Sequence, residues 1–206
     1  VEQIIALDPQ VVVMSSMAQW EEQAQALSQA GIATLFTDAQ NLEGVYQAIT
    51  LLGNVLDRQE QAQELVGEMQ GAFDEIGEKV AGNHKGSTIY FEVSPLEYGL
   101  WTAGQDTFMD EIAVMLGMKN AFPDLKGWGE ISQEQVIARN PDYIVTVTMY
   151  FGEGPRPEEE IVAREGWQNI PAVKQGNIIH VSSDEITRPG PRLAEAATLL
   201  YRRIYE

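Results

Sequence analysis

A twelve-residue passage occurs twice in this chain. Residues 2–13 read Glu-Gln-Ile-Ile-Ala-Leu-Asp-Pro-Gln-Val-Val-Val, and residues 134–145 read Glu-Gln-Val-Ile-Ala-Arg-Asn-Pro-Asp-Tyr-Ile-Val. Six of the twelve positions are identical, and Ile4/Val136, Asp8/Asn140 and Val12/Ile144 are similar. Each copy predicts a short helix with apolar Ile4, Ile5 and Leu7, or Val136 and Ile137. Pro9 or Pro141 ends that helix, because a proline ring disfavours helical backbone at the residue before it. A β-branched run follows, residues 11–13 or 144–147, and suits a buried parallel strand. An ordinary helix-to-strand junction would read the same way once. The run of identities favours two similar lobes, and the offset of 132 residues is far too long for a solenoid repeat.

The parallel continues beyond the repeat. After the first copy, Trp20, Ala24, Leu27 and Ala30 mark a helix, Gly31 caps it, and residues 32–37 read as a strand. After the second come a loop over 150–157, a helix near 158–164 and a strand over 178–181. Only the second copy has a long preamble: a strand over 87–93, a helix over 107–116 closed by Gly117, and a Pro/Gly/Trp loop over 122–129 leading to Ser132. The first copy has only Val1 before it, so the symmetry predicts an N-terminal lobe that is incomplete in this chain. Between the lobes, Ala62, Leu65, Val66, Met69, Phe73, Ile76 and Val80 recur at helical spacing. At about 1.5 Å per residue, such a helix is near 30 Å long and can bridge two lobes. The expected organisation is a remnant of the N-terminal lobe over 1–40, a linker with a long bridging helix over 41–82, and a C-terminal α/β lobe over 83–206. The class is α/β, with two doubly wound lobes joined by a long backbone helix.

Charge narrows the partners. The chain carries 13 Lys+Arg against 31 Asp+Glu in 206 residues, a net charge of −18. The few basic residues are scattered, which argues against nucleic acid and against an anionic membrane surface. A cationic partner surface suits it better. With no cysteine, disulfides, thiolate metal sites and Cys nucleophiles are excluded. No apolar run is long enough to span a bilayer.

Catalytic signals are absent. The two histidines, His84 and His180, have no nucleophile motif beside them, and no phosphate loop, dinucleotide fingerprint or histidine metal spacing occurs. The chain is read as no enzyme and as holding no cofactor or metal of its own. Binding signals are better. Ligands of open α/β sheets sit beyond the carboxyl ends of the strands. Segments following the predicted strands carry Tyr98 and Trp101, then Tyr150 and Phe151, then Asp184 and Arg188, and Trp128 joins from the loop before Ser132. Aromatics offer broad faces to a large flat ligand, and an arginine can clamp an anionic or amide group. The same aromatics could instead plug the core, and Arg188 could brace its own loop. Glu2 and Glu134 have two readings as well. Ser132 and Gln135 frame a capping box, and a first-turn glutamate suits the helix dipole. Recurrence of that glutamate in both lobes also fits a shared docking role.

In its order of motifs the chain resembles the substrate-binding proteins of ABC importers for cobalamin, ferric siderophores and haem. The resemblance runs through residues 1–13, 30–38, Leu51-Leu52-Gly53, Trp101–Gly104 with Thr107-Phe108, Gly127-Trp128 through Asp142, the Pro171–Gly176 turn and residues 188–192. It implies an extracytoplasmic receptor, in the periplasm or at the cell surface as a lipoprotein. Such a receptor captures a metal chelate, a ferric siderophore or cobalamin, between two lobes and delivers it to the permease as a monomer. By the same resemblance, Glu2 and Glu134 dock on the permease, and Trp101, Trp128, Asp184 and Arg188 line the cleft. Ser15 stands where cobalamin binders can place an aromatic, which leaves siderophore and haem open. A haem ligand would look to Tyr98 or Tyr150 for an axial oxygen. Other readings are an extracytoplasmic interaction module without a cleft, or a chelatase-like enzyme.

Overall fold

Both copies of the repeated passage fold into the same helix–strand unit. The computed structural model describes residues 1–15, 19–83, 86–147 and 154–206, which fall into two units, Val1–Ala39 and Gln40–Glu206. In the smaller unit, helix α1 (Glu2–Ala6) leads into strand β1 (Val11–Met14), and helix α2 (Trp20–Gln29) into strand β2 (Ala33–Phe36). β1 and β2 pair in parallel, Val11 opposite Ala33. Leu27 and Ile32 are buried, and Trp20 stacks on Phe36 at 4.2 Å.

The junctions explain the repeat. Asp8 and Asn140 both adopt the left-handed conformation, at φ 48° and 53°. Short side chains that bond locally tolerate that region, and the proline that follows forbids a return to helix. Asp8-Pro9 and Asn140-Pro141 are therefore one stop signal used twice.

The larger unit opens with two helices, α3 (Leu42–Val55) and α4 (Gln59–Val80). Asn41 caps α3 by accepting from the Gly44 N–H at 2.8 Å. On α4 the buried residues are Ala62, Met69, Phe73, Ile76 and Val80, the stripe expected from the sequence. α4 packs against α3, and that crossing is close. A Cβ added at Gly53 would lie 2.4 Å from the Ala62 Cβ and 3.2 Å from the Arg58 carbonyl oxygen.

A parallel sheet follows. It comprises β3 (Thr88–Glu92), then, beyond the short strand β4 (Leu100–Ala103) and helix α5 (Phe108–Met115), β5 (Lys119–Asn120). Strand β6 (Trp128–Ile131) and helix α6 (Gln133–Arg139) lead to β7 (Tyr143–Thr146). Helices α7 (Pro157–Ala163) and α8 (Pro171–Gln175) lead to β8 (Ile178–His180). The sheet order is β5-β3-β7-β8, with every pair parallel. β7 and β8 thus repeat the parallel pairing of β1 and β2. Helix α9 (Ser183–Ile186) and the closing helix α10 (Leu193–Tyr205) complete the chain, α10 packing on α4 through a face of Leu193, Ala196, Ala197, Leu200 and Ile204. The core gathers Tyr90, Leu100, Phe122, Ile144, Ile161 and Trp167 between sheet and helices. The class is α/β, as expected.

Two segments read as loops contain strands. Trp101 lies in β4 and Trp128 in β6, which pair antiparallel, Leu100 opposite Ile131. Each strand has only four residues, and flanking glycines hide it in the sequence pattern.

Packing at the α3–α4 crossing gives a paired expectation. Gly53→Ala should lower stability in urea unfolding by about 1–3 kcal/mol through overpacking. Gly67→Ala, where no atom lies within 4 Å of the new Cβ, should raise it by about 0.5–1 kcal/mol through helix propensity. Equal effects of the two would refute the close crossing.

Candidate functional site

The sheet has one point where its winding reverses. β3 is laid first, β5 joins one side of it, and β7 joins the other. Such a reversal point, at the carboxyl ends of the strands, is where open α/β sheets take their ligands. Residues 148–153 follow β7, so Tyr150 and Phe151 lie outside the described residues, as do Met17, His84 and Met149. The segment leaving β3 is described in full.

That segment turns through a short 3-10 stretch, Leu96–Tyr98, and returns as β4. The Val93 N–H donates to the Trp101 carbonyl at 3.0 Å, which ties β4 to the end of β3. β4 and β6 form a two-stranded ribbon with opposed faces. The inner face holds Leu100, Thr102, Gly129 and Ile131, and Leu100 and Ile131 belong to the core. The outer face holds Trp101, Ala103, Trp128 and Glu130, because side chains alternate along a strand. Trp101 and Trp128 are diagonal neighbours there, about 7–8 Å apart by ribbon geometry. The structure thus brings the two predicted tryptophans onto one surface.

Their settings differ. Trp101 is 41% exposed. Trp128 is half-buried, packs at 5.3 Å on the buried Phe108 ring, and donates its indole N–H to Gln40 Oε1 at 3.0 Å. Tyr98 is 76% exposed. Where the ribbon ends, Gly104 is required. Its N–H donates to the Gly127 carbonyl at 2.8 Å, and an added Cβ would collide with the Leu125 backbone. Thr107, fully buried, donates to the Gly104 carbonyl at 2.8 Å and caps α5 through the Asp110 N–H. Asn120 donates to the Ala103 carbonyl at 2.9 Å, fastening the ribbon to β5.

Asp184 and Arg188 follow β8. They sit one turn apart, Arg188 Nε 2.8 Å from Asp184 Oδ1, and both are exposed. The ends of β3 and β8 are separated by β7 alone, about 10 Å at two strand spacings. Arg188 is therefore braced by Asp184 while its guanidinium remains open to solvent. Arg192 is the N-cap residue of α10.

Glu134 lies in the first turn of α6. Ser132 accepts from the Gln135 N–H at 3.2 Å, and the Gln135 side chain accepts from the Ser132 N–H at 2.8 Å, a full capping box. Backbone N–H donation and then the Ser132 hydroxyl hold the Glu134 carboxyl below its usual range. Glu2 lies in the first turn of α1, without a side-chain cap. Both glutamates are exposed.

Sequence reasoning missed two features. Glu92, the last residue of β3, is buried against Arg164 in a bidentate pair, Nη1–Oε2 2.5 Å and Nη2–Oε1 2.9 Å. Glu160 adds a third contact at 3.0 Å, and the Trp167 ring lies 4.6 Å from the guanidinium. Burial pushes the Glu92 carboxyl up, with Arg164 pulling it back. Burial, then the Glu92 charge, pushes the Tyr90 hydroxyl well above its usual range. No spacing rule links residues 72 positions apart. The second feature is Glu130, opposite Trp101. Its place was readable as the second residue after Trp128, once that stretch is a strand.

Among the described residues, no group of three or more His, Asp or Glu could hold a metal ion, and no helix is long and apolar enough to cross a membrane.

Comparison with known proteins converges. The periplasmic binding protein family matches residues 1–185. An uncharacterized ABC transporter substrate-binding lipoprotein of Bacillus subtilis is 35% identical over 210 residues, covering 100% of this chain. The chain spans 65% of that relative's length. A vitamin B12-binding protein of Salmonella choleraesuis is 25% identical, covering 97% of this chain and 70% of its own. The crystal structure of a possible iron-binding, periplasmic solute-binding protein from Staphylococcus epidermidis superposes with a TM-score of 0.81 at 31% identity, covering 100% of this chain and 80% of the other.

The buried pair at the end of β3 makes a sharp expectation. Arg164→Met should cost about 3–5 kcal/mol of stability, because it strands the Glu92 charge. Adding Glu92→Leu to that variant should recover part of the loss in thermal melts. A double variant less stable than Arg164→Met would show that the pair is a net stabiliser.

Proposed function

The chain belongs to the periplasmic binding protein family, and on that footing we propose that it is the solute-binding component of an ABC importer. Its ligand in this reading is a bulky metal chelate, a ferric siderophore or cobalamin. The protein works outside the cytoplasm and delivers the ligand to a membrane permease. It binds and releases; no bond is made or broken. The observation that carries this reading is the outer face of the ribbon, where Trp101 and Trp128 share one surface beside the reversal point of the sheet. The exposed Trp101 indole beside the half-buried Trp128, on a braced two-stranded ribbon, favours a large ligand with flat or apolar flanks. The relatives described as B12-binding and iron-binding support the same class. Haem, a flat iron chelate, is the second reading, and the exposed Tyr98 oxygen favours it.

In this reading α4 is the backbone between an N-terminal lobe and the lobe over 83–206. Glu2 and Glu134 are the permease-docking residues. Each stands in the first turn of the helix that opens one copy of the repeat. Exposed carboxylates on an acidic protein fit basic recesses of a membrane partner.

Thermal unfolding with cobalamin, haem and a panel of ferric siderophores tests the ligand class. A ligand at 100 times its Kd should add about 2.7 kcal/mol of stability. In Trp101→Ala the same ligand should bind about 1–3 kcal/mol more weakly. No shift with any chelate, on folded protein, would overturn the reading. Docking has its own test. Glu134→Arg should leave chelate affinity unchanged while reducing uptake through the reconstituted importer at least tenfold, as expected for a reversed charge at an interface. Undiminished uptake would remove Glu134 from that role.

A further inference from the structure

The ligand-facing side of the ribbon carries a charge that a chelate site does not need. Glu130 stands directly across from Trp101, on the same face. It is exposed, and its carboxylate approaches Gly99, where an added Cβ would lie 3.2 Å from Oε1. Among the described residues, no side-chain hydrogen bond or ion pair engages the Glu130 carboxylate. Nearby carboxylates elsewhere are engaged. Asp184 holds Arg188 at 2.8 Å, and Asp110 accepts from Asn120 at 2.9 Å.

The surrounding segments share the sign. Glu97 precedes Tyr98, and Asp184 and Glu185 follow β8. With Glu130, four carboxylates stand against Arg188 and Arg192 in these segments. An anionic group of a ligand would meet repulsion from the Glu130 carboxylate beside Trp101. A ligand with a cationic arm would meet attraction, and its cation would find the electron-rich face of Trp101 and the Glu130 carboxylate side by side. An aromatic face with an adjacent carboxylate is a recognition device for ammonium and guanidinium groups.

We propose that Glu130 and Trp101 form a cation subsite, so that the chelate this protein selects bears an ammonium or guanidinium group. The proposal rests on the solute-binding reading and adds the ligand's charge to it. Trp101 supplies the face, Glu130 the counter-charge, and the apolar inner side of the ribbon holds both at fixed separation.

The test compares two probes by titration of tryptophan fluorescence: a ferric trihydroxamate with one pendant primary ammonium, and the same chelate with that amine acetylated. The cationic probe should bind about tenfold tighter to the native chain, as expected for a partly desolvated cation over an indole. In Glu130→Gln the preference should fall below about threefold with the affinity for the neutral probe unchanged, because only the charge is removed. The preference should also shrink as salt rises, since exposed charges are screened. Equal binding of the two probes by the native chain would overturn the cation subsite and leave the solute-binding reading standing. Binding of cyanocobalamin or haem with neither hydroxamate would overturn it too, since those ligands carry no such arm. Binding of no chelate at all would overturn both.

Discussion

The architecture around the site hangs on one buried ion pair. Glu92 ends β3, an inner strand of the sheet, and Arg164 caps the end of helix α7, whose Ile161 shares one buried cluster with Leu100 and Ile131 of the ribbon. Neither charge has access to water. A lone charge in such a place is prohibitive, so each residue forces the other to be present and correctly placed. The pair therefore fixes where α7 stops, where Trp167 seats beneath the guanidinium, and how the end of β3 is held. The Val147 N–H bonds to the Glu92 carbonyl, which locks β7 to the same point. From that anchored strand end the chain departs toward Tyr98 and Trp101. The chain that carries the exposed aromatics thus starts from a strand end held by a buried charge pair.

Much of the fold was legible in residues. The repeated Asp/Asn-Pro junction specifies a left-handed residue followed by one that cannot be helical, and both copies obey it. The stripe from Ala62 to Val80 has one workable face, so α4 follows from spacing alone. The capping box at Ser132 is local chemistry, complete within four residues. Short elements were harder. Trp101 and Trp128 were legible as candidates by their kind and their neighbours but were read as loop residues, because four-residue strands between glycines leave too little periodicity to detect. Reading them as strands is what places Glu130. The Glu92–Arg164 pair was invisible, since nothing in the sequence reports a contact between a strand end and a helix end so far apart. Tyr150 and Phe151 lie outside the described residues.

The ribbon itself shows how few bonds are needed to position a surface. Val93 to Trp101 secures one end and Gly104 to Gly127 the other, and Asn120 pins that second end, at the Ala103 carbonyl, to β5. Gly104 is indispensable because the Leu125 backbone passes too close for any side chain. Each fastening uses backbone groups or a buried amide. Of the outward side chains, Trp128 adds a further tie, its indole N–H to Gln40 Oε1.

That separation has an evolutionary consequence. Alternation along β4 and β6 assigns stability to Leu100 and Ile131 and leaves Trp101 and Glu130 without structural duties. Substitutions at Trp101 and Glu130 can accumulate while the inward positions keep the scaffold folded. A two-stranded ribbon bolted to a parallel sheet is in this sense an exchangeable fitting, whose outward residues can vary without first costing the fold.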